Sequence, residues 1–173
     1  MSHAFVKEPD GDQVGDDQPE LPQSPHPNYV TPAGLAALRE SLASREARRR
    51  DFAAHENALA NKLHIAQAER EMRYFSERIR RAILVDPAGQ PADEVAFGAA
   101  VTVEDEDGER HDFTIVGEDE ADPNAGKVSW VSPLAAALRG ARVGDLVTWK
   151  RPAGEVELEI LTIDYAKDQG EDP

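Results

Sequence analysis

No cysteine occurs, so the side chains able to do chemistry in this chain are oxygens and imidazoles. Disulfide frameworks, thiol catalysis and cysteine-bound zinc are all removed. The five histidines (His3, His26, His55, His64 and His111) show no metal-ligand spacing. Two of them, His55 and His64, flank the stretch Asn57-Ala58-Leu59-Ala60-Asn61-Lys62. That stretch holds no carboxylate, and the nearest acid is Glu56. A dense acidic run lies elsewhere, at Glu118-Asp119-Glu120-Ala121-Asp122. Oxygens in such a run can ligate a hard cation, but a polar surface loop of this kind is more often simply solvated. No side chain is assigned a catalytic role.

Two opposed helices must position the 57 to 62 stretch. From Thr31 an apolar stripe runs through Leu35, Leu38, Leu42, Phe52 and Leu59, and a second through Ile65, Ala68, Met72, Phe75, Ile79 and Ala82. Steps of three and four make a heptad seam on each helix. With one apolar face apiece, the economical packing is an antiparallel pair joined by a tight turn near residues 57 to 62. Ala58, Leu59, Ala60 and Asn61 are then its tip. Thr31 offers an N-cap and Pro32 sits at the first helical position, where a missing N–H costs nothing. Arg45 and Arg49 fall on the seam, so their stems must lie along the partner while their heads reach out. The second helix is expected from about Lys62 to Val85, stopping before Pro87.

The 173 residues suit one ordinary domain with an appendage, or two small domains. The net charge of −15 is unevenly spread. Residues 1 to 30 carry one base and six acids, residues 31 to 86 eleven bases and eight acids, and the remainder seven bases and twenty acids. The helical finger alone is positive. Its basic face, Arg45, Arg48, Arg49 and Arg50, suits nucleic acid held by another protein, or is a solvated face paired with Glu46, Asp51, Glu69 and Glu71. The N-terminus lacks a basic stretch followed by an apolar core, and no run approaches the roughly 18 apolar residues of a membrane helix. A soluble, cytoplasmic, monomeric protein without a membrane partner is expected.

Residues 1 to 28 are rich in Pro, Gly, Gln and Asp and read as a disordered acidic leader. Residues 29 to 86 form the coiled coil, and residues 87 to 95 a linker that permits rotation. The period then changes to two over residues 96 to 165. Phe97, Val101 and Val103 open a strand, Asp107-Gly108 a hairpin turn, and Phe113 and Val116 a second strand. A third strand at Lys127 to Val131 precedes a short helix capped by Ser132 and stopped by Gly140. A last hairpin turns at Pro152-Ala153-Gly154. The expected class is α+β: a helical hairpin, then a small antiparallel sheet holding one short helix. Its core should contain Phe97, Phe113, Trp130, Leu138, Trp149 and Ile160. Residues 166 to 173 read as a disordered tail.

Several blocks resemble the bacterial transcript cleavage factors GreA and GreB, in family order and spacing. They are Tyr29-Val30-Thr31-Pro32-Ala33-Gly34-Leu35, Phe97-Gly98-Ala99-Ala100-Val101-Thr102-Val103, and Ile115-Val116-Gly117-Glu118-Asp119-Glu120-Ala121-Asp122. Ser132-Pro133-Leu134-Ala135, Val143-Gly144-Asp145 and Pro152-Ala153-Gly154-Glu155-Val156 continue the likeness. It implies an N-terminal antiparallel coiled coil followed by an FKBP-like domain. In such proteins that domain docks on bacterial RNA polymerase and the coil enters the secondary channel. RNA and DNA are therefore met indirectly, through the elongation complex. The factor is an accessory, not an enzyme, because the polymerase cleaves its own backtracked RNA. Ser132 and Pro133 correspond to a Ser-Pro pair that meets the polymerase rim, although starting a helix would alone explain both.

In the family, a Gly-Asp-Leu-x-Glu-Asn tip supplies two carboxylates that help hold the polymerase's Mg²⁺ and its attacking water. A hard dication wants such oxygens. In this sequence Leu59 survives while the acids have become Ala58 and Asn61. The hairpin is also about two heptads shorter, which withdraws its tip by roughly 10 Å. The resemblance thus implies a channel-binding regulator that does not stimulate cleavage and has no cofactor of its own. Polymerase Mg²⁺ would matter only if the tip reached it. Two alternatives stand: cleavage stimulation through Glu56 or a rearranged tip, and likeness to the regulator of nucleoside diphosphate kinase, toward which Val143-Gly144-Asp145 followed by Trp149 leans. A prolyl isomerase reading would rest on fold analogy alone, and the domain offers few aromatics to line a proline pocket.

Overall fold

The computed structural model describes residues 18–55 and 58–165, with the backbone alone for Ala58 and Leu59. The chain divides into two compact units. One joins Arg39–Arg78 to the segment ending at Ser24, and the other joins Pro25–Leu38 to the chain from Ile79 onward. Two of the three divisions fall inside helices, and the expected linker at 87 to 95 lies wholly within the second unit.

The first unit is built on two helices of equal length, α1 (Pro32–Ala54) and α2 (Ala58–Arg80). Their antiparallel register follows from cross-helix contacts. Arg45 Nε meets Glu71 Oε2 at 2.9 Å, Arg49 Nε meets Glu69 Oε1 at 2.6 Å, and Phe52 stacks on His64 with ring centroids 4.8 Å apart. The Arg45 guanidinium lies 5.1 Å from the centre of the Phe75 ring, so its stem covers the seam while its head pairs with Glu71.

Three expectations about this region need correction. Ala58, Leu59, Ala60 and Asn61 do not form the turn between the helices, because α1 ends at Ala54 and these four residues already belong to α2. The second helix ends at Arg80, short of Val85. Ala82–Leu84 (β2) instead pairs in parallel with Asn28–Val30 (β1), matching Tyr29 to Ile83, and Val85 N–H donates to Val30 O at 3.0 Å. Backbone pairing overrides helical continuation there, and Pro87 is not what stops the helix. The leader, finally, is not featureless as far as residue 28. Arg70 Nη1 donates to Pro19 O at 3.1 Å, Arg73 Nη2 meets Glu20 Oε1 at 2.8 Å, and Gln23 Nε2 donates to Tyr74 O at 3.2 Å. Residues 1–17, 56–57 and 166–173, including Glu56 and the expected tail, lie outside the described residues.

The second unit is a five-stranded sheet in the order β5-β4-β3-β7-β6. Ala99–Asp105 (β3), Arg110–Val116 (β4), Leu146–Arg151 (β6) and Gly154–Tyr165 (β7) pair antiparallel, as their hairpin turns demand. Lys127–Ser129 (β5) joins β4 in parallel, so the sheet is mixed at one edge. A register shift in the β3–β7 ladder falls between Thr102 and Val103. The helix α3 (Pro133–Leu138) buries Leu134, Ala135 and Leu138. They join Val95, Ala99, Val101, Val103, Ile115, Leu158 and Ile160 in a continuous apolar core.

Leu138 and Ile160 are interior as expected, whereas Phe97, Phe113, Trp130 and Trp149 pack around the core only partly buried. The acidic run at 118 to 122 is not a bare loop either. Glu118–Glu120 forms a short 3₁₀ turn, and Glu120 accepts from the Thr31 hydroxyl at 2.5 Å. Thr31 Oγ1 in turn accepts from Gly34 N–H at 2.9 Å, so the cap of α1 is held from both sides. Beside it Gly117 is needed for space, since a Cβ there would stand 2.4 Å from the Tyr29 carbonyl oxygen.

Candidate functional site

In the first unit the chemistry, if any, sits where the helices turn. His55 Nδ1 lies 2.7 Å from Asp51 O, closing the end of α1. Asn61 Nδ2 donates to Phe52 O at 3.0 Å, tying the first turn of α2 to the last turns of α1. The amide of Asn61 is therefore spent on structure. The Phe52–His64 stack (interplanar angle 14°) seals the same level. Lys62, Leu63 and His64 are exposed.

Of the basic face, Arg45 and Arg48 converge on Glu71, the latter at 3.9 Å, and Arg49 engages Glu69, while Arg50 is exposed. The face is thus largely neutralised by α2, with Glu69 and Glu71 as the partners that the sequence offered. Ala58, Leu59 and Ala60 occupy the opening turn of α2.

In the second unit Ser132 and Pro133 open α3. Ser132 Oγ accepts from Ala135 N–H at 3.2 Å and Pro133 fills the first helical position, so both carry the structural role. Pro133 is exposed, and Val131 before it is 36% exposed. Close by is a cavity of about 310 Å³ lined by Tyr29, Phe97, Trp130, Ile115, Gln90 and Arg139 among others. Tyr29 meets Trp130 edge-on at 4.9 Å and Phe97 at 6.0 Å. The Arg139 guanidinium sits 5.9 Å from the Trp130 ring centre. The sequence missed this aromatic hollow because its three rings come from stretches about 30 to 100 residues apart, and no local period links them.

The histidines need a similar correction. Across the β3–β4 hairpin Asp105, Glu109 and His111 each bring one ligand-type atom within 4.8 Å of the others, and His111 Nε2 lies 2.8 Å from Asp105 Oδ2. The strand pairing, not sequence spacing, assembles them. The same carboxylate accepts N–H bonds from Asp107 and Glu109, so it already ties the turn. His111 first, then the Glu109 N–H, holds Asp105 below the usual carboxylate pKa of 3.8. Hydrogen bonding to Arg73 likewise lowers Glu20.

A helical hairpin followed by a curled sheet unit makes the chain α+β. The sequence profile described as "Transcription elongation factor, GreA/GreB, C-term" matches residues 90–165. The transcription elongation factor GreB of Neisseria meningitidis serogroup B is 36% identical over 155 residues, covering 81% of this chain and 95% of that protein. GreA of Beijerinckia indica is 36% identical over 151 residues, covering 79% and 96%. Among solved structures, the GreA factor homolog Gfh1 of Thermus thermophilus covers 80% of this chain and 99% of its own, at 24% identity and a TM-score of 0.39.

The chain belongs to the GreA/GreB family of transcription elongation factors. Such factors are accessories to RNA polymerase rather than enzymes. Among the described residues, no helix is long and apolar enough to cross a membrane.

Proposed function

We propose that this protein docks on bacterial RNA polymerase through the face around Ser132 and Pro133. Its shortened hairpin is then presented toward the secondary channel, and elongation is regulated without stimulation of transcript cleavage. The observation that carries this reading is the Asn61 side chain. It donates to Phe52 O at the base of the turn, where a cleavage factor would need a carboxylate aimed at a metal. Over residues 55 to 62 the one acid is Glu56.

Length supports the same conclusion. The alignment to Neisseria GreB spans 155 positions but uses 81% of this chain's 173 residues, about 140, so about 15 positions of the relative have no counterpart. Placed as one heptad in each arm, as the spacing of the motifs suggests, they would withdraw the tip by about 10 Å at 1.5 Å per residue. The exposed Pro133 and Val131 beside the aromatic hollow give the docking face apolar contact area.

The test uses a stalled, backtracked elongation complex with end-labelled RNA. This protein should leave the RNA at its intrinsic cleavage rate yet slow cleavage by an authentic Gre factor in the same tube. The double variant Ala58→Asp/Asn61→Glu should still not stimulate, because the tip falls short. Cleavage by the unaltered chain would overturn the reading and point to Glu56, with Glu56→Ala as the check. Neither cleavage nor competition would remove the polymerase channel as its site of action.

A further inference from the structure

The strand β6 ends the sheet order, so one of its sides has no strand beside it. Which groups face that side follows from the ladder with β7. Ile160 N–H donates to Asp145 O at 3.0 Å, and hydrogen-bonded residues alternate along an antiparallel pair, so Val147, Trp149 and Arg151 bond toward β7. Leu146, Thr148 and Lys150 therefore turn their N–H and C=O groups to the free side. Among the described residues no backbone group bonds to them there. The helix α3 does not stand in for a strand. Its buried Leu134, Ala135 and Leu138 join the core cluster with the inward residues of β3, β4 and β7.

An open edge is an association hazard that proteins usually blunt, and this one carries exposed apolar groups. Leu146 is 67% exposed and Val143, just before the strand, 60%, the highest values for large aliphatic residues among those described. Lys150 and Arg151 have no carboxylate partner among the described residues, although acids far outnumber bases in this unit. The Arg151 guanidinium instead lies 5.1 Å from the centre of the Trp149 ring.

The strand is complementary to itself. Joining the outward groups of two copies pairs even-numbered residues with even-numbered residues. A two-fold axis at Thr148 then sets Thr148 against Thr148, Leu146 against Lys150 and Val147 against Trp149. Asp145 faces Arg151 at both ends, so each guanidinium gains a carboxylate. With the axis moved to Val147, Arg151 faces Val143, and with the axis at Trp149 it faces Val147. Neither shifted register gives it an acid.

From this complementarity we infer that the protein forms a two-fold dimer through antiparallel pairing of its β6 edges, centred on Thr148. The occupant of the edge is a second copy of the chain, selected by the Asp145 and Arg151 charges. Strands this short bury less than about 1,200 Å², so association is weak and the expected monomer is the dilute form. The inference concerns the chain alone and does not rest on the polymerase reading.

The absence of cysteine makes the test direct. In the full chain, Thr148→Cys places a thiol on the axis, where Cα atoms of a hydrogen-bonded pair stand about 5.5 Å apart, within disulfide reach. Mild oxidation should yield a covalent dimer of this variant. Leu146→Cys or Lys150→Cys alone should yield little, whereas a mixture of the two should cross-link. Sedimentation of the unaltered chain from about 1 µM to about 1 mM should show monomer passing to dimer. Arg151→Glu, which sets two acids together, should raise the dissociation constant about tenfold with circular dichroism unchanged. A monomer at every concentration would leave the edge to a different strand and overturn the proposal. So would equal cross-linking at all three positions, or a dimer indifferent to Arg151→Glu.

Discussion

The two units of this protein hold themselves together by different means. In the sheet unit eleven apolar residues form one buried cluster, with Val95, Val103, Leu138 and Ile160 entirely out of water. In the hairpin Ala68 is buried, while the cross-helix contacts that fix its register are ion pairs and ring contacts at half-exposed positions. Burial of apolar surface is worth roughly 25 cal/mol per Å², whereas an exposed ion pair is worth about 1 kcal/mol or less. Stability is thus concentrated in the unit expected to dock, and the hairpin is the more easily loosened part.

The sharpest way to break that contrast is Leu138→Ala. It should cost the sheet unit about 2–5 kcal/mol, read as a lowered denaturant midpoint, with the hairpin's helical signal melting separately. Gly117→Ala should follow at about 1–3 kcal/mol. Its Cβ would press on the Tyr29 carbonyl, a backbone atom that cannot swing aside. Gly34→Ala meets the Glu120 carboxylate at 2.6 Å, the movable end of a side chain, and should cost less than Gly117→Ala in the same titration.

On the hairpin side, Arg45→Ala should cost about 1 kcal/mol, from the Glu71 pair and the Phe75 face together. Raising salt should erase part of that difference. No salt dependence would show that the arginine stem, and not its charge, is what counts. The smallest effect concerns Asp105. Its pKa is depressed in the folded protein, so its contribution to stability is present above about pH 3.8 and is lost as pH falls through the lowered folded value. Asp105→Asn should flatten the acid limb of a stability–pH curve there.

How much of this could be read from the sequence follows the same division. The hairpin's helices, the Thr31 and Ser132 caps and the strand turns at Asp107-Gly108 and Pro152-Ala153 are local, and local signals announce them. The β1–β2 pair was illegible because Asn28–Val30 and Ala82–Leu84 are short, parallel and more than fifty residues apart. Nothing in Ile83 or Leu84 says that a partner strand waits. The turn was misplaced by a few residues because Leu59 continues the apolar step of α1 in sequence while its backbone has already entered α2. At the site, the chemistry of Ala58 and Asn61 was legible by type. That Asn61 closes the turn onto Phe52 was not, since only the folded geometry brings a donor to that carbonyl.

The irregularity in the β3–β7 ladder carries one further consequence. Along β7 the inward residues are even-numbered through Leu158 and Ile160, then odd-numbered at Ile163 and Tyr165. One extra residue, Leu161, resets the phase of the strand, as a bulge does. Without that half-period slip Tyr165 would face outward. Its hydroxyl, which donates to Glu94 O at 2.5 Å and accepts from Ala96 N–H at 2.9 Å, could not close the far end of the strand onto the segment entering the sheet. A single unpaired residue thus works as a timing device: it lets a twelve-residue strand keep the same face inward on either side of the slip and end on a latch.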